Sequence, residues 1–87
     1  MWRIIITTTF KQRYKQLNGT LIERVDEATR TLTEAENPLR LGEPKKGRLR
    51  GAYGYPISRA CRILYTLDWD EQTIHLLRVC AHKQVYR

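Results

Sequence analysis

Eighty-seven residues suit one compact domain, enough for one layer of helices on one sheet and too few for two separate cores. No run approaches the roughly 18 apolar residues of a membrane helix, and the apolar opening WRIIITTTF lacks the basic region and small-residue cleavage site of a secretory signal. The formal net charge of +7 favours a polyanionic partner, because each phosphate neutralised by Lys or Arg releases condensed counterions.

These limits lead us to expect a single domain over residues 1–87, soluble and cytoplasmic. The charge excess is concentrated late in the chain: from Asn37 to Arg87, ten basic residues stand against Glu43, Asp68, Asp70 and Glu71. Composition leaves RNA, DNA, a ribosome and an acidic protein all open as partners.

Trp2 to Thr7 is rich in β-branched residues and predicts an opening strand. Thr8 or Thr9 is placed to cap the helix that follows, where Phe10, Tyr14 and Leu17 share one face and Asn18 and Gly19 end the run. Thr20 with Glu23 fits a capping box, and Leu21, Val25, Ala28, Leu32 and Ala35 then keep helical spacing. Pro38, Gly42 and Pro44 make Asn37 to Lys46 a loop. Three strands are predicted after it, over Leu49 to Ser58, Cys61 to Asp68 and Thr73 to Cys80. The expected fold is α+β: an N-terminal strand, a two-helix hairpin, then a three-stranded antiparallel meander, with the helices on one face of the sheet.

A two-residue turn at Asp70 and Glu71 sets Trp69 opposite Gln72 and Cys61 opposite Cys80. Cys61, Ile63, Tyr65 and Leu67 then face the core and Arg62 faces away. A guanidinium held in a strand is more rigid than one on a loop and can stabilise charge without reorganising; a solvated arginine or a structural ion pair is the alternative. The cysteines are expected to stay reduced and act as small apolar side chains. With no CxxC and no zinc-finger spacing to His75 or His82, no metal is expected, and Asp68, Asp70 and Glu71 suit turn chemistry better than cation binding. Tyr53 and Tyr55 alternate on one face, which favours sheet packing over base stacking. Near the C-terminus, His82 can give or take a proton near neutrality, and Lys83, Tyr86 and Arg87 add charge and a phenol.

The order of elements, with the segments NPLRLGEPKKGRLRGAYGY, ISRACRILYTLD and IHLLRVCAHKQVYR, closely resembles the RelE/ParE superfamily of toxins from bacterial and archaeal toxin-antitoxin pairs. The resemblance covers nearly the whole chain and implies the RelE-like fold. RelE-type members are ribosome-dependent endoribonucleases that cut messenger RNA, while ParE-type members poison DNA gyrase. The E-P-x-K-G context of Glu43 matches the general base of the YoeB-like subgroup. Arg62 matches the strand arginine assigned to the scissile phosphate, His82 the C-terminal acid-base position and Tyr86 the terminal tyrosine that orients or stacks on a base. Lys46, Arg48 and Arg50 fall where family members keep basic residues against RNA, and Lys45, Lys83 and Arg87 extend that basic set. Pro56 departs from the pattern, standing where many members have an arginine.

The implied function is that of a toxin with a cognate antitoxin partner, an endoribonuclease that cleaves mRNA on the ribosome without metal or other cofactor. Glu43 takes the 2′-hydroxyl proton, Arg62 with Lys46 or Arg48 stabilises the phosphoryl oxygens, and His82 protonates the leaving 5′-oxygen. Two rivals stand beside it: a gyrase inhibitor without nuclease activity, and a catalytically silent RNA- or ribosome-binding module.

Overall fold

The computed structural model describes residues 1–80. It places two α-helices against one face of a five-stranded mixed sheet, an α+β fold as expected. The strands are β1 (Arg3–Ile6), β2 (Glu43–Pro44), β3 (Tyr53–Ser58), β4 (Cys61–Asp68) and β5 (Thr73–Val79), in the spatial order β1-β5-β4-β3-β2. β1 runs parallel to β5 and the remaining pairs are antiparallel.

The helices are α1 (Thr8–Tyr14) and α2 (Gly19–Glu34). Thr7, one residue ahead of the expected caps, begins α1: its hydroxyl accepts the Phe10 N–H at 3.1 Å and donates to the Leu77 carbonyl at 2.8 Å. One side chain thus satisfies a free helix amide and ties α1 to β5, which neither Thr8 nor Thr9 could do from inside the first turn. α2 is capped by Asn18, whose side-chain oxygen accepts the Leu21 N–H at 2.9 Å. Thr20 and Glu23 therefore lie within the helix and form no capping box. The expected apolar stripe is the buried one, with Val25, Ala28 and Leu32 in the core. The Tyr14 hydroxyl donates to Asp26 at 2.7 Å and joins the two helices.

The segment from Asn37 to Lys46 is more ordered than a loop. Asn37 caps a short 3₁₀ helix, Pro38–Leu41, and β2 then adds a fifth strand by pairing Glu43 with Gly54 and Pro44 with Tyr53. Proline is tolerated here because β2 is an edge strand. The next strand starts at Tyr53 rather than Leu49, since Gly47–Leu49 forms a second 3₁₀ turn. Gly47 and Gly51 bracket that turn with φ of 65° and 95°, values a side chain opposes.

The predicted alternation of β4 holds: Cys61, Ile63 and Tyr65 are buried, and Arg62 and Leu64 face away from the helices. Antiparallel partners share a face, so Tyr53 opposite Tyr65 and Tyr55 opposite Ile63 pack on the core side. The hairpin register follows the two-residue-turn expectation from Asp68↔Thr73 to Tyr65↔Leu76, then slips by one at a bulge, giving Leu64↔Arg78 and Ile63↔Val79. Despite the slip, Cys61 and Cys80 form a disulfide, with Cα atoms 4.0 Å apart. The expectation of reduced cysteines is corrected: the left-handed backbone at Cys80, φ 54°, turns its side chain back to Cys61 across the strand pair.

Candidate active site

The site is built on the sheet face away from the helices, where β2, β3 and β4 run side by side. Behind it Tyr65 is fully buried on the opposite face, and its hydroxyl donates to the Pro38 carbonyl at 2.7 Å. The ring lies so close to Gly42 that a Cβ there would strike the Tyr65 hydroxyl. The 3₁₀ segment is thereby pressed onto β4 just before Glu43 and fixes where β2 begins. Burial pushes the Tyr65 phenol up to about 12, so it stays a hydrogen-bond donor throughout the neutral range. Sequence reasoning missed Tyr65 and Gly42 as supports of the site. The alternation of β4 marked Tyr65 as core, but only the tertiary contact reveals what its hydroxyl holds.

Glu43 enters the sheet opposite Gly54, and Arg62 stands opposite Pro56 on the same face. The Glu43 Oε1 to Arg62 Nη1 separation is 3.6 Å, too long for a direct hydrogen bond, so the two form an ion pair that solvent screens from the carboxylate side. The two partners differ in freedom: the Arg62 side chain is 34% exposed and that of Glu43 70%. Arg62 Nη1 itself is buried and, among the described residues, has no hydrogen-bond partner. A buried guanidinium N–H without an acceptor is costly, and an incoming oxyanion would satisfy it.

Lys45 follows on the same edge, its N–H donating to the Ala52 carbonyl at 2.9 Å. Its Cε and Nζ pass 3.5 and 3.6 Å from where a Gly54 Cβ would stand, and Arg62 Cδ passes at 3.8 Å. Glu43, Lys45 and Arg62 are thus brought together. Lys46, Arg48 and Arg50 are exposed on the turn beyond β2, a basic rim to the cluster. His82, Lys83, Tyr86 and Arg87 lie outside the described residues. Cys80, two positions before His82, donates its N–H to the Arg62 carbonyl at 2.9 Å. In the distal hairpin the Asp68 carboxylate accepts the Glu71 N–H at 3.1 Å, the turn chemistry expected of it.

A family model described as "ParE-like toxin of type II bacterial toxin-antitoxin system" matches residues 4–87. The chain belongs to this family. The toxin fold is also that of solved structures. A chain of the toxin-antitoxin complex RelBE2 from Mycobacterium tuberculosis is 28% identical, with 90% of this chain and 94% of that chain covered and a TM-score of 0.77. A chain of the YoeB-YefM complex from Staphylococcus aureus is 22% identical over 94% of this toxin and 98% of that chain, with a TM-score of 0.76. The isolated RelE toxin of E. coli shares 12% identity over 99% and 92%, at a TM-score of 0.74, a likeness of fold alone. No curated protein sequence matches the toxin. Among the described residues no helix is long and apolar enough to cross a membrane.

Proposed function

We propose that this toxin is an endoribonuclease that cleaves messenger RNA on the ribosome. The observation that supports this most is the Glu43–Arg62 pair: an exposed carboxylate 3.6 Å from a guanidinium held in a strand, whose buried Nη1 has no hydrogen-bond partner among the described residues. In RNA the 2′-hydroxyl is already near the adjacent phosphorus, so the protein needs a base, a stabiliser of charge and an acid. Glu43 accepts the 2′-hydroxyl proton as the 2′-oxygen attacks. The P–O5′ bond breaks while Arg62 stabilises the negative charge on the phosphoryl oxygens. His82 gives a proton to the departing 5′-oxygen, and Tyr86 orients or stacks on a base. Lys46, Arg48, Arg50, Lys83 and Arg87 grip the flanking backbone through charge. The products are a 2′,3′-cyclic phosphate and a 5′-hydroxyl.

Acid and base groups contribute about 10² to 10⁴-fold each, so a site of this economy depends on the ribosome to align its substrate. The work is done in the cytoplasm, where translating ribosomes are. The partner that restrains the toxin is a cognate antitoxin; RelBE2 and YoeB-YefM, to which the toxin is similar, are toxin-antitoxin complexes by name.

One observation favours a second reading: the matching family model is ParE-like, and ParE-type toxins act on DNA gyrase. Mapping of transcript 5′ ends after induced expression, beside a gyrase supercoiling assay on the purified protein, separates the two. Codon-registered cuts with unimpaired gyrase are expected. Intact transcripts with inhibited supercoiling would sink the nuclease reading.

A further inference from the structure

A phosphoryl group passing through a five-coordinate intermediate carries charge on two non-bridging oxygens, and one guanidinium is a thin provision for both. The ladder gives Arg62 no cation across from it. Its partner on β3 is Pro56, and the next residue on that face of β4 is Leu64. Between them sits Gly54, paired with Glu43 on one side and Leu64 on the other. Gly54 lies within β3 and has φ outside the left-handed region, so its backbone conformation does not require a glycine. Side chains from both neighbouring strands cross above it at ordinary contact distance: Lys45 Cε and Nζ at 3.5 and 3.6 Å from an added Cβ, and Arg62 Cδ at 3.8 Å. Lys45 is half-buried, whereas Lys46, Arg48 and Arg50 are exposed. A cation partly withdrawn from water acts more strongly on a nearby charge than one that is fully solvated.

We propose that Lys45 is the second cation at the reacting phosphodiester, in place of Lys46 or Arg48, lying beside Arg62 over Gly54. This inference rests on the nuclease reading and deepens it. Lys45 and Arg62 act by charge alone and transfer no proton; the 2′-hydroxyl proton still passes to Glu43. An ammonium ion is a point charge that one oxygen can meet, leaving the planar Arg62 fork for the other. A branched side chain at Gly54 reaches beyond Cβ into the space Lys45 crosses and displaces the lysine without removing a charge.

The test is cleavage of transcripts by purified protein on translating ribosomes, with rates read at saturating ribosome concentration. Wild type is compared with Lys45→Gln, Gly54→Val and the double variant Lys45→Gln/Pro56→Arg, each checked for folding by its thermal transition. Lys45→Gln should slow the saturated rate on the order of 10²-fold and shift the half-saturating concentration far less. Gly54→Val should slow it similarly with every charge retained. An arginine at 56, directly across from Arg62, should recover at least about tenfold of what Lys45→Gln loses. If wild type cuts and Lys45→Gln cuts at the same saturated rate, Lys45 is not the second cation and the nuclease reading stands. A folded double variant without recovery overturns the placement beside Arg62. A wild-type protein that cuts nothing overturns the nuclease reading and this inference with it.

Discussion

The Tyr65 hydroxyl donates to the Pro38 carbonyl at 2.7 Å across the fully buried floor of the sheet. That bond joins β4, which carries Arg62, to the segment that leads into Glu43, so core packing and site geometry share one contact. Tyr65→Phe keeps the ring and removes the bond, leaving the Pro38 carbonyl without its phenol donor. We expect a loss of about 1–3 kcal/mol in urea unfolding with the slope unchanged, and slower cleavage at the site.

The same phenol sets a pH dependence. Its folded value is raised from 10.0 to about 12, chiefly by burial. A raised value means that the folded state holds the proton more tightly than the unfolded chain, so the contribution is complete below pH 10 and lost as pH climbs towards 12. The stability difference between wild type and Tyr65→Phe should therefore shrink across that alkaline window, and denaturant midpoints measured over it give the comparison.

Gly42 has the opposite sensitivity, being a place where an atom must not be added. A Cβ there would strike the Tyr65 hydroxyl. Gly42→Ala should destabilise by about 1–3 kcal/mol and displace β2. Combined with Tyr65→Phe, whose ring lacks the oxygen, part of that cost should be recovered, and a double-mutant cycle on unfolding free energies measures the coupling.

The Cys61–Cys80 disulfide closes a separation of 19 residues around the β4–β5 hairpin. Reduction should cost about 3 kcal/mol by the loop-entropy estimate, which lowers Tm by more than about 10 °C in a domain of this size. Thermal unfolding with and without a dithiol reductant shows the shift, and Cys61→Ala/Cys80→Ala should match the reduced protein under both conditions.

The helices were legible because α2 buries a stripe that the spacing of Leu21, Val25, Ala28 and Leu32 already draws. β4 was legible because Cys61, Ile63 and Tyr65 alternate with residues that tolerate water. What could not be read was long-range or too short to carry a period. The placement of β1 beside β5 joins Arg3 to Thr73, a pairing that no local pattern signals. β2 is two residues long and includes a proline, so nothing in it alternates. The bulge after Tyr65 is an extra residue, Leu77, with no composition of its own, and it altered the register that had set Cys61 against Cys80. In the site, Glu43 and Arg62 stood out through the resemblance and their charge. Lys45 as the neighbour of Arg62 comes from both side chains crossing Gly54, a tertiary contact that no local pattern signals.

The central claim is that Glu43 and Arg62 act together on one phosphodiester. The most direct measurement is the saturated rate of transcript cleavage by translating ribosomes for wild type and Glu43→Gln, which keeps the shape of the side chain and removes its basicity. A fall of roughly 10² to 10⁴-fold, with wild-type cuts ending in a 2′,3′-cyclic phosphate, is the result predicted. Cleavage by Glu43→Gln at the wild-type rate would contradict it.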